Sequence, residues 1–414
     1  MNQQYRLFVG VDWAKDEHTI CVLDAGQKVV DRRIIKHSGA GIGQLVDLLT
    51  KLSGSEPATV AVAMETPRGA VVESLVERGF AVYSLNPKQM DRFRDRHTVA
   101  GAKDDRRDAF VIADALRTDL HLFHPVRLDH PLVIRLRELS RADEDLQQSQ
   151  VRAGHQLRDL LNRYYPEMLG LCPGVDEPWF WELLEMAPLP ARKPSKAKLD
   201  RLLRSHRIRR LDAAAIREAL NVTALKLAPG AAEAASEHVL LILPTLRLLR
   251  RQRHELEQRI EALIEQMNTE GEFDEHRDVT VLRSLPGVGR LITATMLAEA
   301  SQALAERDYH ALRSYAGSAP ITRQSGKRKC VVMRQSCNPR LRNALYHWSR
   351  VSTQCDPRSR EHYQALRAKG HSHGRALRGV ADRLLAVLIS MLASGTVYDP
   401  TRRAARPNPS SELL

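Results

Sequence analysis

Within the first 120 residues, β-rich runs alternate with apolar residues at helical spacing, and their order leaves few folds open. Residues 6–12 (RLFVGVD), 18–23 (HTICVL) and 28–34 (KVVDRRI) are strand-like. They are separated only by WAKDE and the turn-prone DAGQ, as in a three-stranded meander. Ile42, Leu45, Leu48, Leu49 and Leu52 then recur at helical spacing. A strand at 59–64, a helix near 70–78, a strand at 81–85 stopping at Asn86-Pro87, and a helix opening at Asp105 complete the series. A sheet carrying helices on its faces is the expectation.

Acids close two of these runs and open the last helix. Asp12 ends VGVD, Glu65 follows VAVAM, and Asp105 and Asp108 lie three apart on one helix face. Each has an ordinary reading: a turn former at Asp12, a solvated acid at Glu65, and first-turn acids answering the helix dipole at Asp105 and Asp108. Together they point further. Strand, strand, strand, helix, strand, helix, strand, helix is the order of the ribonuclease-H-like fold, where the ends of the central strands and the last helix converge. Carboxylates gathered in this way make a site for Mg²⁺, which takes hard oxygen ligands and activates phosphodiester chemistry. Asp104 is the alternative to Asp105 as third ligand, its other role being an N-cap. Asp105 is preferred because its pairing with Asp108 leaves Ala109, Ile112 and Leu116 to the core. Asp16 and Glu17 read as solvated.

The net charge of +13 is concentrated in the last third: residues 276–414 hold 23 Lys and Arg against 9 Asp and Glu, of 63 and 50 in the whole chain. From 309 to 355 there is no acid, while Arg313, Arg323, Lys327, Arg328, Lys329, Arg334, Arg340, Arg342 and Arg350 are all cationic. Such a segment suits a polyanion, because each neutralised phosphate releases counterions. A solvated basic face would ordinarily mix in acids. Inside this segment Ser325-Gly326 lies in ITRQSGKRK. The ordinary reading is a phosphate-contacting loop. A serine attacking phosphorus would want the same setting, with cations to stabilise the phosphorane and a glycine to allow close approach. No histidine adjoins it, so activation would come from a metal or basic side chains.

Between these regions the chain reads as helical. Leu132, Leu136, Leu139, Leu146, Ala153, Leu157, Leu160 and Tyr164 form one heptad-like seam interrupted by Asp143 and Gln150. Leu246, Leu249, Leu256, Ile260, Leu263 and Met267 form a second, interrupted by Arg253. Proline-rich, linker-like sequence with short helices at 199–207 and 213–220 separates them. LPGVG at 285–289 is a tight turn before a helix, as in helix-hairpin-helix modules, and 376–392 reads as a core helix. No apolar run is long enough to span a membrane, and the amino terminus moves straight into a strand, so a cytoplasmic location is expected. The five scattered cysteines fit neither a zinc site nor a disulfide framework and read as reduced, mostly structural thiols.

The motifs in order resemble the insertion sequence 110 transposases. Asp12 in VGVDWAKDEH, Glu65 in METPRGA, NPKQ at 86–89, and Asp105 with Asp108 in KDDRRDA resemble that family's RuvC-like DEDD domain. LPGVG, YAGSAP at 315–320, Ser325-Gly326, NPRLRNALY and VYD resemble its C-terminal transposase domain. The likeness covers roughly residues 5–400. Where relatives often have a glycine-rich stretch after the serine, this chain reads CVVMRQSCNPR. The resemblance implies an α/β RuvC-like domain over 1–125, an α-helical coiled-coil region over 126–275, a mainly α transposase domain with a helix-hairpin-helix-like segment over 276–400, and a disordered tail over 401–414. It further implies a transposase guided by a bridge RNA to donor and target DNA. Asp12, Glu65, Asp105 and Asp108 would bind Mg²⁺, and Ser325 would form a covalent phosphoserine link, in a dimer or tetramer acting on the bacterial nucleoid. Arg323, Lys327, Arg328, Lys329, Arg334, Arg340 and Arg342 are the expected nucleic-acid contacts, with Arg92, Arg94 and Arg96 as candidates for holding RNA. The alternatives are a RuvC-type Mg²⁺-dependent nuclease such as a junction resolvase, without a covalent intermediate, and a non-enzymatic architectural binder.

Overall fold

The computed structural model describes residues 5–65, 68–85, 87–97, 104–190, 192–221, 225–269, 275–326 and 328–401. Lys327, Asn86 and the tail from 402 onward therefore lie outside the described residues. The chain forms two compact units, Met1–Asp129 and His130–Leu414.

The first unit is a mixed sheet with helices on both faces. In chain order its elements are β1 (Leu7–Trp13), β2 (Glu17–Asp24), β3 (Val29–Lys36), α1 (Gly39–Leu52), β4 (Val60–Met64), α2 (Ala70–Glu77), β5 (Ala81–Ser84), α3 (Pro87–His97), α4 (Asp105–Thr118) and the short edge strand β6 (His124–Pro125). The strands lie in the order β3-β2-β1-β4-β5-β6, with β1 antiparallel to β2 and parallel to β4, and β4 parallel to β5. β4 is buried along its whole length because helices cover both faces, which explains its unbroken VAVAM. On one face Leu45 and Leu49 of α1 and Val71 and Leu75 of α2 pack against Val9, Val11 and Val62. On the other, Val111, Ile112, Ala115 and Leu116 of α4 pack with Phe8, Ala61 and Ala63. The α4 backbone comes so close to β1 that a Cβ at Gly10 would lie 2.0 Å from the Ala109 carbonyl oxygen. The expected order is present with two additions, α3 and the edge strand β6. Pro87, read as a stop, is the first residue of α3, since proline's fixed φ and missing N–H suit the start of a helix.

The second unit is mostly helical. It comprises α5 (Pro131–Tyr164), α6 (Glu167–Leu171), α7 (Pro178–Met186), α8 (Lys196–Ser205), α9 (Ala213–Ala219), α10 (Ala231–Thr269), α11 (Glu275–Ser284), α12 (Arg290–Glu299), α13 (Ser301–Ala305), α14 (Tyr309–Tyr315), the hairpin β7 (Ile321–Ser325) and β8 (Arg328–Val332), α15 (Pro339–Cys355), α16 (Pro357–Ala368) and α17 (His373–Ser394). α5 and α10 pack antiparallel, as the hydrogen-bonded pairs Asp143–Arg253 and Gln156–His238 show. The polar interruptions of the two seams meet one another: Arg253 donates to Asp143 at 3.2 Å and to Gln150 at 3.1 Å. The charge that breaks one apolar seam is thus neutralised by the charge that breaks the other.

The sequence between the two long helices is not a linker. Trp179, Phe180 and Trp181 of α7, Leu199 and Leu202 of α8, and Ile216 of α9 form a core with Leu157, Leu161 and Tyr164 of α5 and Val239 and Leu243 of α10. The prolines and polar residues that suggested a linker start helices: Pro178 opens α7, Ser195 caps α8, and Asp212 accepts from the Ala215 amide at 2.7 Å to cap α9. A second core joins the start of α5 and the end of α10 to α11, α12, α15 and α17, with Trp348 fully buried. α17 ends at Gly395 in a left-handed conformation (φ 61°). Among the described residues no helix is long and apolar enough to cross a membrane. All five cysteines are free, Cys21 and Cys172 buried and Cys330 and Cys355 exposed.

Candidate active site

Parallel pairing of β1 with β4 sets Val11 beside Met64, so the next residues, Asp12 and Glu65, are neighbours at the same end of the sheet. Helix α4 brings the other acids to that end. Its register is fixed by Gly10, since Ala109 rests on the glycine and Asp108 is the residue before it. Asp108 is buried, Asp12 and Glu65 are half-buried, and Asp105 is exposed at the first helical position. Asp104 has extended backbone, and its Oδ1 accepts from the Arg106 amide at 3.1 Å, so it is the N-cap of α4.

The four acids act on one another through their charges. Burial pushes the Asp12 carboxyl up to about 6, and the carboxylates of Asp108, Asp105 and Glu65 push in the same direction, with Arg94 opposing them. Arg94 comes from α3, the helix the sequence reading missed. Its Nε and Nη2 donate to the two oxygens of Asp108 at 2.7 and 2.9 Å, its Nη1 donates to Asp91 at 2.8 Å, and Glu65 lies 3.9 Å away. Arg96 is likewise committed, to Asp119 at 2.6 Å. Of the three arginines expected near RNA, Arg94 and Arg96 therefore serve carboxylates of their own domain. Among the described residues no three His, Cys, Asp or Glu side chains are grouped, as they stand, to hold a metal ion. The donor set is nonetheless four oxygen acids whose mutual repulsion weakens the acidity of Asp12, and a divalent cation relieves that repulsion.

Ser325 belongs to the second unit, at the end of β7. It pairs with Arg328 across a turn in which Gly326 has φ 54°, a left-handed conformation that glycine adopts without steric cost. The serine is exposed, and among the described residues its hydroxyl has no hydrogen-bond partner. Arg323 precedes it by two residues on the same face of the hairpin, and Lys329 lies in the opposite strand. A phosphate-contacting loop within a mainly helical domain was expected here. The hairpin signal was present in alternating Ile-Thr-Arg-Gln and Arg-Lys-Cys-Val around a glycine-containing two-residue turn. The basic segment is less free than its sequence suggests, because acids from elsewhere reach it. Arg340 pairs with Glu144, and Arg313 makes a two-pronged bond to Asp382 at 2.9 and 2.8 Å. Arg334 leaves its Nε buried without a partner, and Arg342 is half-buried.

Two family models match the chain, one over residues 9–166 with the acids and one over 279–364 with the serine, and both describe transposases. The protein is thus an enzyme of the DNA transposase class, and a DEDD domain points to dependence on a divalent metal in general. The second model is that of the IS116/IS110/IS902 transposases. The transposase named for the IS117 mini-circle of Streptomyces coelicolor is 33% identical over 96% of this chain and 97% of its own length. The protein of insertion element IS110 from the same species is 30% identical over 95% of each. A protein named as a transposase in Sinorhizobium fredii is 44% identical over 51% of this chain, a match spanning 60% of that relative. The chain belongs to the IS110 family of insertion-sequence transposases.

Proposed function

We propose that this transposase cuts and rejoins DNA through a covalent phosphoserine at Ser325, with a Mg²⁺ site at Asp12, Glu65, Asp105 and Asp108, and that a bridge RNA directs it to donor and target DNA. The observation that carries the reading is the gathering of carboxylates at the end of the β1–β4 pair, where burial and, after it, the charges of Asp108, Asp105 and Glu65 raise the pKa of Asp12. The strand order β3-β2-β1-β4-β5 supports a ribonuclease-H-like, RuvC-like fold for residues 1–125. The antiparallel α5–α10 pair supports a coiled-coil region over 126–275. The α11–LPGVG–α12 turn, held by hydrogen bonds from Trp348 and Ser352 to the Pro286 carbonyl, supports a helix-hairpin-helix-like element within 276–400.

Asp12, Glu65, Asp105 and Asp108 would hold the ion, which when bound supplies Lewis-acid stabilisation of charge on the phosphate. Asp104 is occupied as a cap, which favours Asp105 as the third ligand. Arg94 holds the Asp108 carboxylate in place and limits the repulsion within the set. The Ser325 oxygen attacks a phosphodiester phosphorus. Its bond to phosphorus forms as the bond to the departing strand's oxygen breaks; the serine proton is lost and the departing oxygen gains one. A hydroxyl of the incoming strand then attacks the phosphoserine, restoring a phosphodiester and freeing the serine. Arg323, exposed two residues before the serine on the same face of the hairpin, stabilises the negative charge that develops, whereas Lys329, paired with Gln324, carries its charge on the opposite face. Acids and serine lie in different units of the chain. We assign a composite site in which the acids of one subunit serve the serine of another, in a dimer or tetramer working on bacterial nucleoid DNA.

The hydrolytic alternative is a RuvC-type nuclease in which water attacks and Ser325 only contacts a phosphate. A denaturing quench of a reaction on end-labelled DNA with Mg²⁺ and the element's RNA separates the two. Protein attached to DNA, absent with Ser325→Ala, is expected. Undiminished cutting by Ser325→Ala would replace the phosphoserine mechanism with hydrolysis.

A further inference from the structure

A cavity of about 480 Å³ opens in the second unit, between the YAGSAP segment after α14, the first turns of α15 and the start of α17. Its volume falls within the range of small-ligand pockets, roughly 300–1,000 Å³. Gly317 and Ser318 form one wall, Arg342 and Tyr346 of α15 a second, and Gly374 and Arg378 of α17 a third.

The charge on these walls is unbalanced. Glu144, the acid on the lining, is paired with Arg340, and the nearby Asp382 is taken by Arg313 and by the Ser318 hydroxyl at 3.0 Å. Among the described residues Arg342 and Arg378 have no carboxylate partner, although both are half-buried. Burial and the cation of Arg375 hold the Arg378 guanidinium below its ordinary value, with no acid acting against them. Two half-buried arginines facing one cavity without a counterion are unfavourable unless an anion occupies it. The Tyr346 ring, 40% exposed, stands on the same wall, with His373 edge-on to it at 6.5 Å. His373 is held in turn by the Tyr363 hydroxyl at 2.8 Å. An arginine pair with an aromatic face beside it is the chemistry that receives a phosphate together with its base.

We propose that this cavity takes an unpaired nucleotide of a bound nucleic-acid strand, its phosphate on Arg342 and Arg378 and its base on Tyr346. This rests on the reading of the chain as a transposase that handles strands, and it adds a binding site apart from the hairpin of Ser325.

The test uses full-length protein carrying Ser325→Ala, so that binding is read without chemistry. Fluorescence anisotropy with a single-stranded DNA and an RNA of equal length, repeated across salt concentrations, gives affinity and salt slope. Arg342→Gln with Arg378→Gln should flatten the slope by about 0.7, the share of one phosphate contact in single strands, and each single variant should lose part of that. Arg378→Lys should keep it, and thermal melting should show all variants folded. Strands carrying 5-iodouracil should photo-crosslink to the peptide containing Tyr346, with loss of the cross-link in the double glutamine variant. Whichever strand cross-links identifies the source as DNA or RNA. If Arg378→Gln does not fold, the Arg342 slope and the cross-link decide. Unchanged slopes with cross-links confined to the hairpin would overturn the pocket and leave the transposase reading standing. Failure of the parent protein to bind either strand would overturn both.

Discussion

Gly10→Ala tests the fold and the acid site together. The added methyl would lie 2.0 Å from the Ala109 oxygen and 2.6 Å from the Ala113 nitrogen, and real contacts of this kind do not fall below 3.0 Å. Both obstacles are helix backbone, so no side-chain rotation relieves them and α4 itself must retreat by about 1 Å. Val111, Ile112 and Leu116 on that helix are fully buried, so the retreat strains a filled interface. Overpacking costs about 1–3 kcal/mol, and a clash with backbone belongs at the upper end, near 3 kcal/mol. That is survivable for a domain stable by roughly 5–15 kcal/mol. Asp108 moves with Ala109, however, and a 1 Å misplacement of reacting groups costs about 100-fold in rate. Urea unfolding should show the loss of stability, and Mg²⁺-dependent strand cutting at a temperature where the variant is folded should show the larger loss of activity. Asp12 should also titrate below its value of about 6, because Asp108 and Asp105 have withdrawn. Gly43→Ala is the control: on α1, with nothing within 4 Å of the new methyl, it should be neutral or stabilising by up to about 1 kcal/mol. Wild-type stability and activity in Gly10→Ala would refute the account of how α4 positions its acids.

Other outcomes follow from single contacts. Arg253→Ala should destabilise by about 3 kcal/mol in urea because it strands the buried Asp143, whereas Asp143→Leu with Arg253→Leu should recover most of the loss; equal losses in the two would contradict the pairing. Ser325→Ala should leave the melting temperature unchanged, since the serine is exposed, while abolishing covalent protein–DNA product. In metal-free protein the protonated Asp12 favours the folded state, a contribution complete below pH 3.8 and lost as pH rises to about 6. Stability of wild type relative to Asp12→Asn should decline across that window, and a flat difference would rule out the raised pKa. Arg94→Gln should raise the Asp12 pKa further, measured by carboxyl-carbon NMR, because it removes the cation opposing the shift.

The strands and the acids were legible because both depend on local pattern. An acid directly after VGV or VAVAM marks where the burial of a strand gives out, although β1 itself runs on through Asp12 to Trp13, and parallel pairing then brings the two acids together. What escaped notice depends on partners distant in sequence. PKQMDRFRDRH gives no apolar stripe, so α3 was invisible, although its Arg94 governs the charge around Asp108. The region around Trp179 and Trp181 read as linker because its prolines are also helix starters, and only packing against α5 and α10 separates the two uses. The acid-free stretch suggested a uniform field. Folding sorts it, with Glu144 and Asp382 neutralising Arg340 and Arg313 and leaving Arg342 uncompensated beside Arg378. The useful signal in such a segment is therefore which cations the tertiary structure leaves unpaired. On that criterion the arginines that only stabilise the fold separate from those available to a phosphate, and the second group is where the nucleic acid should be sought.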